Sequence, residues 1–282
     1  LLTPVSYIFH DKRGDKTKLL YSLLRAAGIP SELHIAETLY ADKTMTDVPD
    51  FNRFTHFVVK AGEDWLMPAF RKAWYGFLPY PVYGQKTKRI YPDAGEDAIP
   101  ALAPEKDGID YGLSVKVDGD GESRCTLTVT FTGTKATIVR EALSSIPKGE
   151  LKLQVESAYL AELFPGATLT SLALPDLDQP SPKLVMKLEF TKPPQEGPVP
   201  GSVVVGPLIK SRTAVVWAQL PSRSFPLLID DNIRIRLRVE IDGMGAWKIM
   251  PPPDTQTKTT MGKKLSFNQT VVIDKKGSSM TL

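Results

Sequence analysis

FHDKRGDKTKLLYSLLRAAGIPSELHI, residues Phe9–Ile35, is the stretch on which the reading of this chain turns. Leu19, Leu20, Leu23, Leu24 and Ala27 recur at the helical period, which predicts an amphipathic helix over Lys16–Ala27. Asp15 stands where a carboxylate satisfies the first free amides, Gly28 sits at the C′ position, and Pro30 forbids continuation. A strand follows in SELHIAETL, with Leu33 and Ile35 alternating against polar neighbours. The Leu19/Leu23 stripe of the helix is expected to pack on the hairpin further along, THFVVKAGEDWLMPA, whose turn lies in Ala61–Asp64. Pairing Lys60 with Trp65 across that turn places His56 and Met67 on one face.

The remaining sequence narrows the function classes. The chain has 282 residues, 42% of them hydrophobic and 24% charged, which is the composition of a soluble globular protein with room for two domains. Thirty-five basic against 32 acidic residues leave a net charge of +3 with no arginine-rich arm, so no nucleic-acid partner is expected. Cys125 is the single cysteine, in an alternating run, and reads as a small buried apolar residue. His10, His34 and His56 stand apart without zinc-ligand spacing, so neither a metal nor another cofactor is expected. No apolar run approaches the roughly 20 residues that cross a bilayer. A start at Leu1 and a stop soon after the strand-like Gln269–Asp274 are those expected of part of a longer protein.

Residues 71–100 mix aromatic residues with Gly and Pro and suggest an irregular packed segment. Pro, Ala and acid concentrate in residues 92–107, the best boundary candidate, so the expected domains are 1–96 and 97–282. Beyond it, YGLSVKVDGDGESRCTLTVTFTG is a hairpin about a DGDG turn. One helix is expected around Lys152–Phe164. Strand-like runs follow at Leu184–Phe190, Ser202–Ile209, Ala214–Gln219, Ile233–Ile241, Ala246–Met250 and Asn268–Asp274, a spacing that suggests a β-sandwich. Asp118 and Asp120 lack the distal Glu of a calcium loop and are read as turn residues. Asn268–Thr270 matches a glycosylation sequon.

GDKTKLLYSLLRAAGIPSEL, a correctly spaced His56 and the WLMP run at Trp65–Pro68 together resemble the bacterial transglutaminase-like (papain-superfamily) proteins. The group most similar is the one whose core is flanked by β-rich domains. The resemblance covers about residues 10–85, with a looser echo at SRSFPLLID. It implies an α+β fold, in which a transglutaminase-like core remnant is followed by a β-sandwich region. It also implies that the family's catalytic cysteine falls on Arg13, its histidine on His56 and its acid, the Asp of WLDP, on Met67. The chemistry needs a thiolate at a helix N-terminus and a charged partner for the imidazole. Arginine stays protonated and methionine offers no charge, so two of the three roles are empty.

The resemblance therefore implies a pseudoenzyme, with no catalytic residue among the degenerate positions Arg13, His56 and Met67. Such a chain is expected to be a scaffold or interaction subunit of a larger bacterial assembly, meeting protein partners through its β-rich region. By family analogy alone it belongs in the periplasm or cell envelope. Two other readings compete. An active cysteine-independent hydrolase or peptide-modifying enzyme needs an acid or serine facing His56, and Ser6, Ser22 and Ser31 occupy no strained elbow. A carbohydrate- or peptide-binding module would use Trp65, Trp74, Tyr75, Phe77, Tyr80 and Tyr83 as a stacking surface, which requires at least three exposed rings.

Overall fold

The computed structural model describes residues 4–11, 14–41, 53–68, 70–196 and 234–242, and the backbone of four short strands beyond them. Helix α1 (Val5–Asp11) leads into α2 (Lys16–Ala26). Asp15 caps α2, its carboxylate accepting the Thr17 N–H at 2.7 Å. At the other end Ile29 N–H bonds Leu24 O and Gly28 N–H bonds Arg25 O, with Gly28 at φ 75°. That is a Schellman closure, which glycine enters without strain. Thr17, Leu20, Tyr21 and Leu24 form the packed face, against Leu33, Val59 and Leu66. The expected Leu19/Leu23 stripe is corrected here, since Leu23 is 53% exposed. Adjacent leucine pairs leave two stripes open, and the one in line with Thr17 and Tyr21 is buried.

Strands β1 (Glu32–Glu37), β2 (Phe54–Ala61), β3 (Asp64–Leu66), β4 (Lys86–Tyr91) and β5 (Gly95–Ala98) form an antiparallel sheet in the order β3-β2-β1-β4-β5. The Lys60–Trp65 pairing is the one the sequence predicts. This sheet is covered on both faces. Helix α2 lies on one; on the other, Ala36, Val58, Trp65, Leu78, Val82 and Ile99 form a second apolar cluster beneath residues 77–83. The segment expected to be irregular therefore contributes both packing and two strands. The expected division at 96/97 falls within β5, which pairs with β4 from Gly95 to Ala98.

The second sheet has the order β13-β14-β10-β6-β7-β9-β8. Its strands are β6 (Gly108–Val117), β7 (Ser123–Thr132), β8 (Thr168–Ala173), β9 (Lys183–Lys192), β10 (Ile235–Asp242), β13 (Val272–Ile273) and β14 (Ser279–Thr281); β11 (Thr259–Met261) and β12 (Leu265–Phe267) pair separately. Strand β10 runs parallel to β6, and the pairs β6–β7, β7–β9 and β9–β8 are antiparallel. Asp118 pairs with Arg124 at 3.0 Å and Asp120 accepts the Glu122 N–H, so both aspartates serve the turn.

Alternate residues of these strands, among them Leu113, Leu127, Leu188 and Phe190, build the largest core. Helices cover that face: α3 (Thr134–Ser144) and α4 (151–163), whose Val155–Leu160 portion winds as a π-helix. A β-sandwich would place another sheet there. Cys125 lies in this core, its thiol pushed up to about 12 by burial. Helix α3, not anticipated from sequence, starts on buried Asp107, which accepts the Thr134 hydroxyl at 2.6 Å and the Lys135 N–H at 3.3 Å. Lys72, itself buried, ties the two sheets together. Its N–H bonds Glu141 of α3 and its ammonium pairs with Asp178 of the β8–β9 connection.

The described chain is thus an α+β protein of helices and two sheets, with no closed barrel among the described residues. No described helix is long and apolar enough to cross a membrane. The runs expected at Ser202–Ile209, Ala214–Gln219 and Ala246–Met250, and the sequon at Asn268–Thr270, lie outside the described residues.

Candidate functional site

Strand β2 carries the first candidate, His56. It pairs with Ala36 of β1, and strand alternation sets it on the face of Val58 and Lys60, away from Phe57 and helix α2. Its ring is half-buried, and Nδ1 lies 2.8 Å from the Thr55 hydroxyl. Burial alone holds its pKa below the ordinary histidine value. No described carboxylate bonds it. Met67 is partly buried against the cluster of Val58, Trp65 and Leu78, so its thioether stands in apolar packing. Arg13, the third candidate, lies outside the described residues.

The aromatic candidates are mostly withdrawn from solvent. Trp65 and Phe77 are buried, and Trp74, Tyr80 and Tyr83 are half-buried. Tyr75 alone is exposed, at 70%, and its hydroxyl donates to Asp64 at 2.8 Å. Three rings on one open face, the requirement for a stacking platform, are not present among these six.

A more organised constellation centres on His34, which is only 1% exposed. One ring nitrogen, Nε2, lies 2.9 Å from a Glu32 carboxylate oxygen and the other, Nδ1, 3.0 Å from the Thr87 hydroxyl. An ionised carboxylate only accepts, so Nε2–H donates to Glu32 and Nδ1 accepts from Thr87. The second Glu32 oxygen accepts from Arg89 at 2.7 Å. Lys60 reaches Asp97 at 2.6 Å, and its ammonium sits 5.4 Å from the centre of the Trp65 ring, which meets His34 edge-on. The His34 bond holds the Glu32 carboxyl below its usual range, with help from Arg89. Burial lowers the His34 pKa despite Glu32. The pair is accordingly a neutral imidazole bonded to a carboxylate rather than an ion pair.

The chain Glu32–His34–Thr87 has the connectivity of a nucleophilic triad. Thr87, however, is 1% exposed, and a hydroxyl sealed from solvent reaches no substrate. The network therefore satisfies buried polar groups between β1 and β4 and fixes their register. Sequence periodicity missed it because β1 is buried on both sides, which removes the contrast between its two faces. Glu32 and His34 two residues apart are the one local hint.

Acid is expected to weaken the small sheet. Both His34 and His56 have folded pKa values below the unfolded value of about 6.5. The unfolded chain then binds more protons, so stability is full above that pH and is lost as pH falls below it. Urea midpoints measured between about pH 7.5 and about pH 5.5 should fall. The slope should flatten in His34→Gln; a slope of opposite sign would contradict the burial of these rings.

Comparison with known proteins adds little to this geometry. No family model matches the chain, and no curated protein matches it. Among solved structures, an M1 zinc metallopeptidase from Deinococcus radiodurans, bound to a Tyr-Ser-Ala substrate, is similar at 13% identity with a TM-score of 0.22. That match covers 65% of this chain and 43% of the peptidase chain. At such a score the likeness carries no argument about fold or chemistry. No described group of three or more His, Cys, Asp or Glu side chains has the arrangement of a metal site.

Proposed function

We propose that this chain is a catalytically inactive transglutaminase-like protein, its core followed by a β-rich region, that works as an interaction subunit of a larger bacterial assembly. The observation that carries the reading is the surroundings of His56 and Met67, the residues that the resemblance assigns to the histidine and the acid. The bonded neighbour of that imidazole is the Thr55 hydroxyl, and the residue assigned to the acid is an apolar side chain packed among others. A histidine without a charged partner is a poor general base for a thiol. Arg13, at the nucleophile position, supplies none. A fold kept without these groups is kept for contacts. The periplasm or envelope as its place rests on the resemblance alone.

The hydrolase reading needs an acid or serine facing His56, whose bonded neighbour is the Thr55 hydroxyl. The separate Glu32–His34–Thr87 chain does not rescue it, because Thr87 is buried. The glycan-binding reading fails on the withdrawn rings. Incubation with amine donors, glutamine-containing peptides and thiol-directed probes is expected to give nothing above a heat-killed control. Turnover that disappears in His56→Ala would overturn the pseudoenzyme reading.

A further inference from the structure

The face of the small sheet away from α2 is closed in two different ways. Ala36 and Val58 lie in the apolar cluster with Leu78, Val82 and Ile99. One step towards the Gly62–Glu63 turn, His34 and Glu32 lie among charged side chains. Register puts Lys60, Glu32, His34, Thr87 and Asp97 on that one face. Lys60 of β2 bonds Asp97 of β5 at 2.6 Å, although β1 and β4 stand between those strands. Three strand spacings span about 14 Å in a flat sheet, further than a lysine and an aspartate reach together. The sheet is therefore curled towards this face, and the ion pair joins its flanks. Lys60 stands in the row of Glu32 and Asp97 in the row of Ala36, so the bond passes over the row between them, that of His34. Both members are partly open to water, Lys60 at 26% and Asp97 at 35%, whereas His34 is 1% exposed.

We propose that the Lys60–Asp97 pair is a clasp: it holds the small sheet curled over His34, and its opening is what admits solvent to the His34–Thr87 pair. An apolar lid comes away only by exposing its whole buried area, whereas a part-exposed ion pair opens by side-chain rotation and weakens in salt. Each end of the clasp is held in place. The second Asp97 oxygen accepts the Ala98 N–H at 2.7 Å, and the Lys60 ammonium rests 5.4 Å from the centre of the Trp65 ring, which meets His34 edge-on. Opening leaves Glu32 bonded to Arg89 and to the imidazole, so the ring is uncovered with its tautomer intact, Nε2–H on Glu32 and Nδ1 towards Thr87. In the closed state Thr87 reaches no substrate, and the clasp decides how long that state lasts. The connections at this end of the sheet are short, at 62–63 and 92–94, and the long β1–β2 connection leaves from the other end, beyond Glu37. None of the clasp residues is Arg13, His56 or Met67, so the clasp stands independently of the pseudoenzyme reading.

The test is carbethoxylation of the full chain by diethyl pyrocarbonate at about pH 7.5, where imidazoles are neutral, with each histidine read by peptide mass spectrometry. Exposed His10 gives the reference rate. His34 is expected to label far more slowly than His10, and about fivefold faster in Lys60→Met than in the unmodified chain, the effect of losing a part-exposed pair. Lys60→Met keeps an apolar stem on Trp65. Asp97→Asn keeps an oxygen for the Ala98 N–H and should act alike. Lys60→Arg, which still pairs, and Lys187→Met, from the exposed Lys187–Glu189 pair of the other sheet, should stay at the unmodified rate. Raising salt from about 50 mM to about 1 M should speed His34 in the unmodified chain and leave Lys60→Met unchanged. Circular dichroism separates local opening from unfolding; where a variant unfolds, the salt series on the unmodified chain decides. The proposal is overturned if His34 keeps its slow rate in both folded variants or at high salt, if Lys60→Arg labels as fast as Lys60→Met, or if His34 of the unmodified chain labels as fast as His10.

Discussion

Gly133→Ala is expected to destabilise the protein by about 3 kcal/mol or more, an unusually large effect for one methyl group. Gly133 links β7 to α3 at φ 62°, where a β-carbon is strained by about 1 kcal/mol before any contact is counted. The added carbon would also stand 2.4 Å from the Lys106 carbonyl oxygen and 2.8 Å from Asp107 Oδ1. Neither neighbour yields easily. Lys106 O is backbone, and the Asp107 carboxylate is fully buried and holds the Thr134 hydroxyl and the Lys135 N–H. Relieving the clash pulls the carboxylate off the start of α3 and leaves buried donors unpaired. Urea unfolding followed by circular dichroism measures the loss. A change under about 1 kcal/mol would mean that the β7–α3 corner rearranges freely.

Leu188→Ala is expected to cost about 2–5 kcal/mol, the range for deleting a buried leucine whose cavity does not collapse. Leu188 has no solvent exposure and stands on β9 between register partners Leu127 of β7 and Leu172 of β8. Both partners are held in register with β9, Leu127 in a strand that also pairs with β6 and Leu172 in the edge strand, so the sheet cannot close over the void. The midpoint in urea should fall without a change in slope, because the surface exposed on unfolding is nearly the same. A loss below about 1 kcal/mol would show that the helices above settle into the space.

Most of what was legible in the sequence is local. Asp15, Gly28 and Pro30 bound α2 because caps act through the nearest amides and carbonyls. The β2–β3 register follows from a two-residue turn, Gly62-Glu63, that leaves Lys60 opposite Trp65. Cys125 in the core and Asp118 in its turn are equally local inferences. Strands β4 and β5 escaped notice because KTKRIY and GEDA have little apolar alternation. Their strand state comes from pairing with β1 and with each other, which no window of sequence contains. Helix α3 was hidden for a related reason: its start is set by Asp107, in a different part of the chain, and Arg140 is buried where periodicity reads a solvent position. Arg140 donates to the carbonyls of Ser181 and Lys183, a contact visible only once β9 is in place. Of the candidate site, the residue types at 56 and 67 were readable, but the His34 network needed β4.

The parallel pairing of β10 with β6 has a consequence for the chain as it is made. The β6–β9 unit, with its two helices, leaves the ribosome first, but β6 then presents one bare flank. The strand that closes it, Ile235–Asp242, begins about 40 residues after β9 ends, a delay of a few seconds at ordinary elongation rates. During that interval the growing polypeptide displays a ten-residue ribbon of unsatisfied amides and carbonyls, from Gly108 to Val117. A neighbouring nascent copy offers the same ribbon, so crowded polysomes favour cross-chain pairing unless a chaperone occupies the flank. Slow codons between residues 197 and 233 would lengthen that exposure, and a stop codon in the same interval would make it permanent.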